Sequence, residues 1–210
     1  MKQTYIIIFC ISILNLLLVN STLAQSWNFV KEQDGIKIYT RNEPNSSLKS
    51  YRGEAVFRAS IDKVCMLLGT AKNLDWWDKG FTTIKVLKHE DHKFIQYYFI
   101  YDMPWPVTDR DLAVESTIKM DTATGVYTVS SRPMLKAVPE NPDLVRITSY
   151  WQKWTVQPMD KGNIHATLEG SVDPGGNIPA WVYNMLVTDM PLKTIRSLRD
   201  RALSSRPVNK

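Results

Sequence analysis

The chain has 210 residues, 44% of them hydrophobic and 22% charged, and a formal net charge of +5. This composition suits one globular domain with a sizeable core and excludes a disordered or collagen-like chain. Basic residues are spread among acids along the whole length, without the clustered stripe or tail that a nucleic-acid partner would demand.

Lys2 is the only charge before an apolar run over residues 6–19, and small residues stand at Thr22 and Ala24. A positive start, a short apolar stretch and a small-x-small site read as a cleavable secretory signal over residues 1–24. The run is shorter than the roughly 20 residues a membrane span needs. The mature domain is then 25–210, placed in the periplasm or outside the cell. Its formal charge falls from +5 to +4, because Lys2 alone leaves. Cys10 leaves with the signal and Cys65 remains single, so export brings no internal disulfide. Within the apolar stretch 64–68, Cys65 is expected to be a buried small hydrophobe.

After the turn Asp34-Gly35, Ile36, Ile38 and Thr40 alternate with Lys37, Tyr39 and Arg41, which predicts a strand. Residues 49–59 alternate again, with Tyr51, Ala55 and Phe57 on one face and Arg52, Glu54 and Arg58 on the other. Ser60 reads as the N-cap of a short helix over 61–68 that Gly69 stops. A second short helical piece is expected over 71–77. From Thr82 onward the pattern is of strands, and residues 94–101 are apolar or aromatic on both faces. Leu112, Val114, Ser116, Ile118 and Met120 form one face of the next strand, with Glu115, Thr117 and Lys119 opposite. Further strands are predicted over 126–131, 144–157 and 163–172, the last two joined by a turn at 158–162. Such short connections require antiparallel pairing. After Asp173-Pro174-Gly175-Gly176 the period becomes helical through Ile178, Trp181, Val182, Met185 and Leu186, then Leu192, Ile195, Leu198 and Ala202. Pro179 suits a first turn, whereas Pro191 should bend one long helix near its middle. The elements define an α+β fold, a curved antiparallel sheet gripping a long C-terminal helix.

Three stretches resemble the START (StAR-related lipid transfer) family. They are Asp34-Gly35-Ile36-Lys37-Ile38-Tyr39-Thr40-Arg41, then Pro104-Trp105-Pro106-Val107-Thr108-Asp109-Arg110-Asp111, then Asp173-Pro174-Gly175-Gly176-Asn177-Ile178-Pro179-Ala180-Trp181. The resemblance implies a helix-grip fold with an internal hydrophobic tunnel that binds one lipid. The C-terminal helix and the proline-rich loop 132–143 would form its lid. Tunnel-lining residues would be Tyr97, Phe99, Leu112, Val114, Ser116, Ile118, Met134, Trp154, Trp181 and Met185. Ser116 stands out as the polar member of an apolar row and reads as a head-group contact or a locally bonded hydroxyl. Steroid- and sterol-carrying relatives often place a buried acid and a buried arginine where this chain has Tyr97 and Ser116, so sterol specificity is not implied. Arg110 and Asp111 are expected to form a structural ion pair, and Trp105 to be a packing anchor.

Affinity needs no more than an apolar tunnel. Each buried methylene contributes about 0.8 kcal/mol, so about ten to sixteen give roughly 8–13 kcal/mol against association costs of about 4–15 kcal/mol. Two rival functions are an enzyme of the polyketide cyclase or hydrolase type and a protein-interaction module without a ligand. Against the enzyme, His89, His92 and His165 are the only histidines, and neither a nucleophile elbow nor a metal-ligand cluster is present in the sequence. His89-x-x-His92 lacks a third ligand. The expectation is therefore a monomeric, non-enzymatic carrier without cofactor or metal, whose partners are a lipid and, transiently, a membrane surface.

Overall fold

The computed structural model describes residues 26–204 apart from Asn45, Asn73, Asp75, Asp78 and Lys79, and leaves out the side chains of Met185 and Leu186. The expected signal segment 1–24 lies outside the described residues.

Alternation of buried and exposed positions builds most of the sheet. In β1 (Asn28–Gln33), β2 (Ile36–Asn42) and β3 (Lys49–Arg58), the side chains of Ile36, Ile38, Tyr51, Ala55 and Phe57 turn inward. Helix α1 (Ile61–Gly69) buries Val64, Cys65, Leu67 and Leu68, and burial pushes the Cys65 thiol up to about 12, as befits an inert core residue. Then come β4 (Phe81–Glu90), β5 (Phe94–Tyr101), β6 (Arg110–Met120) and β7 (Tyr127–Pro133). A short β8 (Val145–Arg146) precedes β9 (Ser149–Pro158) and β10 (Asn163–Asp173). The chain ends in α2 (Ala180–Leu186) and α3 (Asp189–Leu203).

The sheet runs β1-β2-β3-β10-β9-β7-β6-β5-β4, open between its two edge strands. All pairs in this path are antiparallel, but β8 pairs with β6 in parallel, so the sheet is not purely antiparallel as its short turns had implied. The parallel pair forms because the chain leaves β7 at Pro133, loops over 134–144 and returns beside the start of β6, taking the place that β7 vacates.

Two helical expectations are corrected. The described residues of 71–77 form turns instead of a helix, with the Trp76 indole donating to the Leu67 carbonyl at 3.2 Å. The C-terminal segment is two helices and not one bent helix. Pro191 is still the cause: it has no N–H for the Val187 carbonyl and its ring crowds that carbonyl. The break therefore falls at Val187-Thr188, and Pro191 occupies the first turn of α3, where a missing N–H costs little.

Helix α3 lies across β2, β3 and β10 and buries Leu192, Ile195 and Leu198 against them. Gly53 makes that approach possible: a Cβ there would sit 2.6 Å from Ile195 Cδ1 and 3.1 Å from Pro191 Cβ. The arrangement is an α+β helix grip, with the inner face of the curved sheet holding the C-terminal helices.

Candidate functional site

Successive cross-strand partners face the same side of a sheet. Following them inward from β2 gives Thr40, Tyr51, Gly170, Gln152, Ser131 and Ser116, one transverse row crossing β2, β3, β10, β9, β7 and β6. Apart from glycine, every member is polar. The Tyr51 ring lies over Gly170, where a Cβ would come within 2.3 Å of the phenolic oxygen, and so reaches the Gln152 amide, which donates to it at 3.2 Å. Ser116 and Ser131 share a hydrogen bond of 2.6 Å, and Tyr97 on β5 joins Ser116 at 2.8 Å.

This polar row lies between two apolar clusters, both of which Trp77, Tyr97 and Val172 touch. On the α1 and α3 side lies the main core, including Ile118, Val129, Trp154, Val156 and Leu168. On the other side Phe99, Leu112, Val114 and Ile147 form a smaller cluster, flanked by Trp77, Tyr97, Tyr150 and Val172. The Trp77 ring meets Tyr97 at 5.1 Å and Phe81 at 5.4 Å, edge to face. Tyr97, Tyr150 and Gln152 are only half-buried although they belong to the inner face. Burial nonetheless pushes the Tyr97 phenol up and the Tyr150 phenol well up.

The expected lining residues divide accordingly. Tyr97, Phe99, Leu112, Val114 and Ser116 come together on the smaller cluster and its polar border. Ile118 and Trp154 belong to the filled core beyond the row. Met134 is half-buried just past β7, its N–H donating to the Ala113 carbonyl at 2.8 Å. Trp181 is corrected: it is 70% exposed and turned away from the interior. The Met185 side chain lies outside the described residues. Sequence reasoning missed Tyr51, Ser131, Tyr150 and Gln152. Each read as an ordinary strand residue, and only the register that aligns six strands reveals the row to which Tyr51, Ser131 and Gln152 belong.

The Arg110-Asp111 dipeptide is structural, yet the two residues do not pair, because neighbours on a strand face opposite sides. Arg110 donates to the carbonyls of Thr108, Pro174 and Gly175, the last two at 3.1 Å, and so clamps the β10–α2 loop to the start of β6. That loop turns through Gly175 and Gly176, whose φ of +64° and +66° are costly for other residues. On the outer face Asp111 takes two bonds from Arg146, at 2.7 and 2.8 Å, and one from Tyr98 at 3.0 Å. Burial alone would raise the Asp111 carboxyl, but the bonds from Arg146 and Tyr98 outweigh it and hold its pKa below the ordinary value. Arg146 also donates to the carbonyls of Val138 and Pro139, so the 132–143 loop is latched to β6.

Helix α2 is tied to the β2–β3 connection. The Asn184 side chain accepts from Lys49 N–H at 3.0 Å and donates to the Ser47 carbonyl at 2.9 Å. Trp105, expected as a packing anchor, is instead 92% exposed. Trp105 stands on the β5–β6 connection and Trp181 in the first turn of α2, just after the β10–α2 loop, and Arg110 binds carbonyls of both that connection and that loop at one end of the sheet. The histidines are scattered: His89 Nε2 is 3.9 Å from Asp91, His92 Nδ1 is 3.3 Å from the Tyr127 hydroxyl, and His165 Nε2 is 3.7 Å from Glu54 on the outer face.

A curved sheet gripping the C-terminal helices, with an apolar cluster bordered by hydroxyls on its inner face, defines a helix-grip domain. The START domain model matches residues 15–205, and the chain belongs to that family. An uncharacterized protein of Pseudomonas aeruginosa is 32% identical over 182 residues, 87% of this chain and 89% of the relative. Among solved structures, a STAR-related lipid transfer protein from Xanthomonas axonopodis is 30% identical, with a TM-score of 0.77 over 85% of this chain and 99% of that one. Human STARD10 shares the fold at 18% identity, with a TM-score of 0.75 over 85% of this chain and 74% of its own.

Proposed function

We propose that this protein carries one lipid-like molecule between the inner face of β5–β6–β7–β9 and helix α2, and acts by binding alone. The observation that carries this is the second apolar cluster on the inner face, bordered by the polar row and by the half-buried Tyr97, Tyr150 and Gln152. Export through the 1–24 segment, and transfer between membranes outside the cytoplasm, complete the proposal; both rest on the sequence pattern. Native mass spectrometry of protein purified from its own host should find a bound lipid, and delipidation should lower the melting temperature, because exposed apolar lining loses its contacts. Identical melting curves and no extractable lipid would count against the carrier.

Exchange requires an opening, and α2 is the element to move. It is short, separated from α3 at Val187-Thr188, and held to β3 mainly by Asn184 and Tyr183. The loop 132–143 forms the fixed opposite wall through Arg146. Trp105 and Trp181 stand exposed at the end of the sheet where Arg110 binds both the β5–β6 connection and the β10–α2 loop, and exposed indoles suit the membrane interface, where one end of the ring is apolar and the other wet. Replacing both by alanine should weaken co-sedimentation with phospholipid vesicles roughly ten-fold or more, at about 1.5–3 kcal/mol for each aromatic ring inserted. Unchanged vesicle binding would place the membrane contact on another face.

A further inference from the structure

The outer face of the sheet, turned away from the helices, carries a feature that lipid carriage does not use. On β3, Arg52 and Glu54 alternate with the inward Tyr51, Gly53 and Ala55. Register sets Glu54 beside Thr167 on β10, and Thr167 beside Thr155 on β9. Two residues along the strands on one side stand His165 and Gln157, and on the other Arg52 and Glu169. Short threonines in the middle and long side chains around them leave a depression of about 240 Å³, lined by Arg52, Thr155, Gln157, His165, Thr167 and Glu169. Its walls hold one another in place. The Arg52, Glu54, Glu169 and His165 side chains are no more than 32% exposed, on a face that solvent covers.

Two pairs in these walls are splayed. Arg52 Nη1 stands 3.8 Å from Glu169 Oε1, and His165 Nε2 3.7 Å from Glu54 Oε2, both beyond hydrogen-bond reach. A hydroxyl donates and accepts at once, so one set beside such a pair bonds to both members. Glu54 keeps its place meanwhile, because Arg52 Nη2 donates to it at 3.0 Å and the Tyr39 hydroxyl at 2.8 Å. Each carboxylate already has a cation against it: Glu54 has Arg52, and Glu169 lies between Arg52 and its β9 partner Lys153. An anion would meet two carboxylates here, and a cation would meet the guanidinium. A neutral hydroxylated ligand separates none of these charges. An aromatic surface continues the site. Glu169, Arg52, Tyr39 and Phe29 are successive cross-strand partners on this face. The Tyr39 and Phe29 rings meet edge to face at 5.7 Å, and Phe29 is 59% exposed. Three strand spacings, about 14 Å, separate Phe29 from Glu169. That span suits a short chain of sugar rings, with hydroxyls in the depression and an apolar C–H face on the exposed phenyl.

We infer that the outer face of β3, β10 and β9 is a second binding site, which takes a short neutral oligosaccharide with one ring in the depression and another on Phe29. A free glycan chain and a glycolipid head share this chemistry, and the experiment distinguishes them. Amide chemical shifts of isotope-labelled protein are followed against maltotriose, triacetylchitotriose and, as a control, glycerol. One of the trisaccharides should bind weakly and saturably, moving the amides of Arg52, Glu54, Thr155, Thr167 and Glu169 and leaving Leu112 and Val114 in place; glycerol should not saturate. Thr167→Val keeps the shape and removes a hydroxyl, and Phe29→Ala removes the exposed ring. Each should weaken the binding roughly five-fold or more. In parallel, the protein is sedimented with phosphatidylcholine vesicles with and without digalactosyldiacylglycerol. Enrichment on the glycolipid vesicles that Thr167→Val abolishes would assign the site to a lipid head, and trisaccharide binding without that enrichment would assign it to a free glycan; either result supports the site. Neither trisaccharide binding nor enrichment, or binding that either variant leaves at wild-type strength, would overturn the inference. Lipid loading should be the same in wild type and Thr167→Val, so the carrier reading is tested separately.

Discussion

Replacing Asp111 by alanine should destabilise the fold by about 3–5 kcal/mol, the usual cost of removing one partner of a buried ion pair. Asp111 is 1% exposed and the Arg146 side chain 8%, so the guanidinium left behind has little water to turn to. Chemical denaturation would measure the loss. Limited proteolysis should show residues 134–144 becoming cleavable, because Arg146 holds that loop through its carbonyls only while Asp111 fixes the guanidinium. The pH dependence has a definite sign. The folded pKa of Asp111 lies below the ordinary value of about 3.9. Its stabilisation is therefore fully present above that value and is lost as pH falls through the depressed folded pKa. The gap between wild type and Asp111→Ala should accordingly close in acid. A loss below about 1 kcal/mol at neutral pH, typical of an exposed pair, would show that the latch does not hold the loop.

Fastening α2 to the β2–β3 connection should stop lipid exchange outright. Asn184 already bridges to Ser47 and Lys49, so Ser47→Cys with Asn184→Cys places two thiols where an amide hydrogen bond now spans the gap. The pair must meet the Cα separation of about 4.4–6.8 Å that a disulfide tolerates, with the neighbouring position substituted where it does not. Cys65 will not compete, since it is buried and its thiol is pushed up to about 12. The oxidised protein should stay folded and retain whatever lipid it holds, transfer between vesicles should fall more than ten-fold, and reduction should restore it. Full crosslinking with transfer at the wild-type rate would mean that ligand enters elsewhere, past the 132–143 loop or between β4 and the 70–80 segment.

What could be read from residues alone depended on how local the determining physics was. Period-two alternation made β2, β3 and β6 visible, because one buried face imposes apolar residues at every second position, and β5 showed as a run apolar or aromatic on both faces. The edge strand β1 escaped notice for the same reason: it is mostly exposed, with Phe29 and Val30 in solvent and a bulge between Phe29 and Lys31, so burial imposes no pattern on it. Arg110 and Asp111 were recognisable as structural residues, but Arg146, Pro174 and Gly175, which they bind, lie 35 to 65 positions further along the chain. No spacing rule links an arginine to a glycine carbonyl at that distance.

The sequence by itself determined the family, the α+β class and the apolar inner face of β5 and β6, through three local motifs and the strand period. It also located the proline that divides the C-terminal helix, though not the carbonyl at which the division falls. Tertiary structure alone decided that Trp105 and Trp181 face solvent and that β8 lies parallel to β6. It alone drew Tyr51, Gln152, Ser131 and Ser116 into one line. Each of these depends on register between strands far apart in sequence, and register is fixed by the packing of the whole inner face against α1, α2 and α3. A single tyrosine or serine on a strand carries no mark of the row it will join.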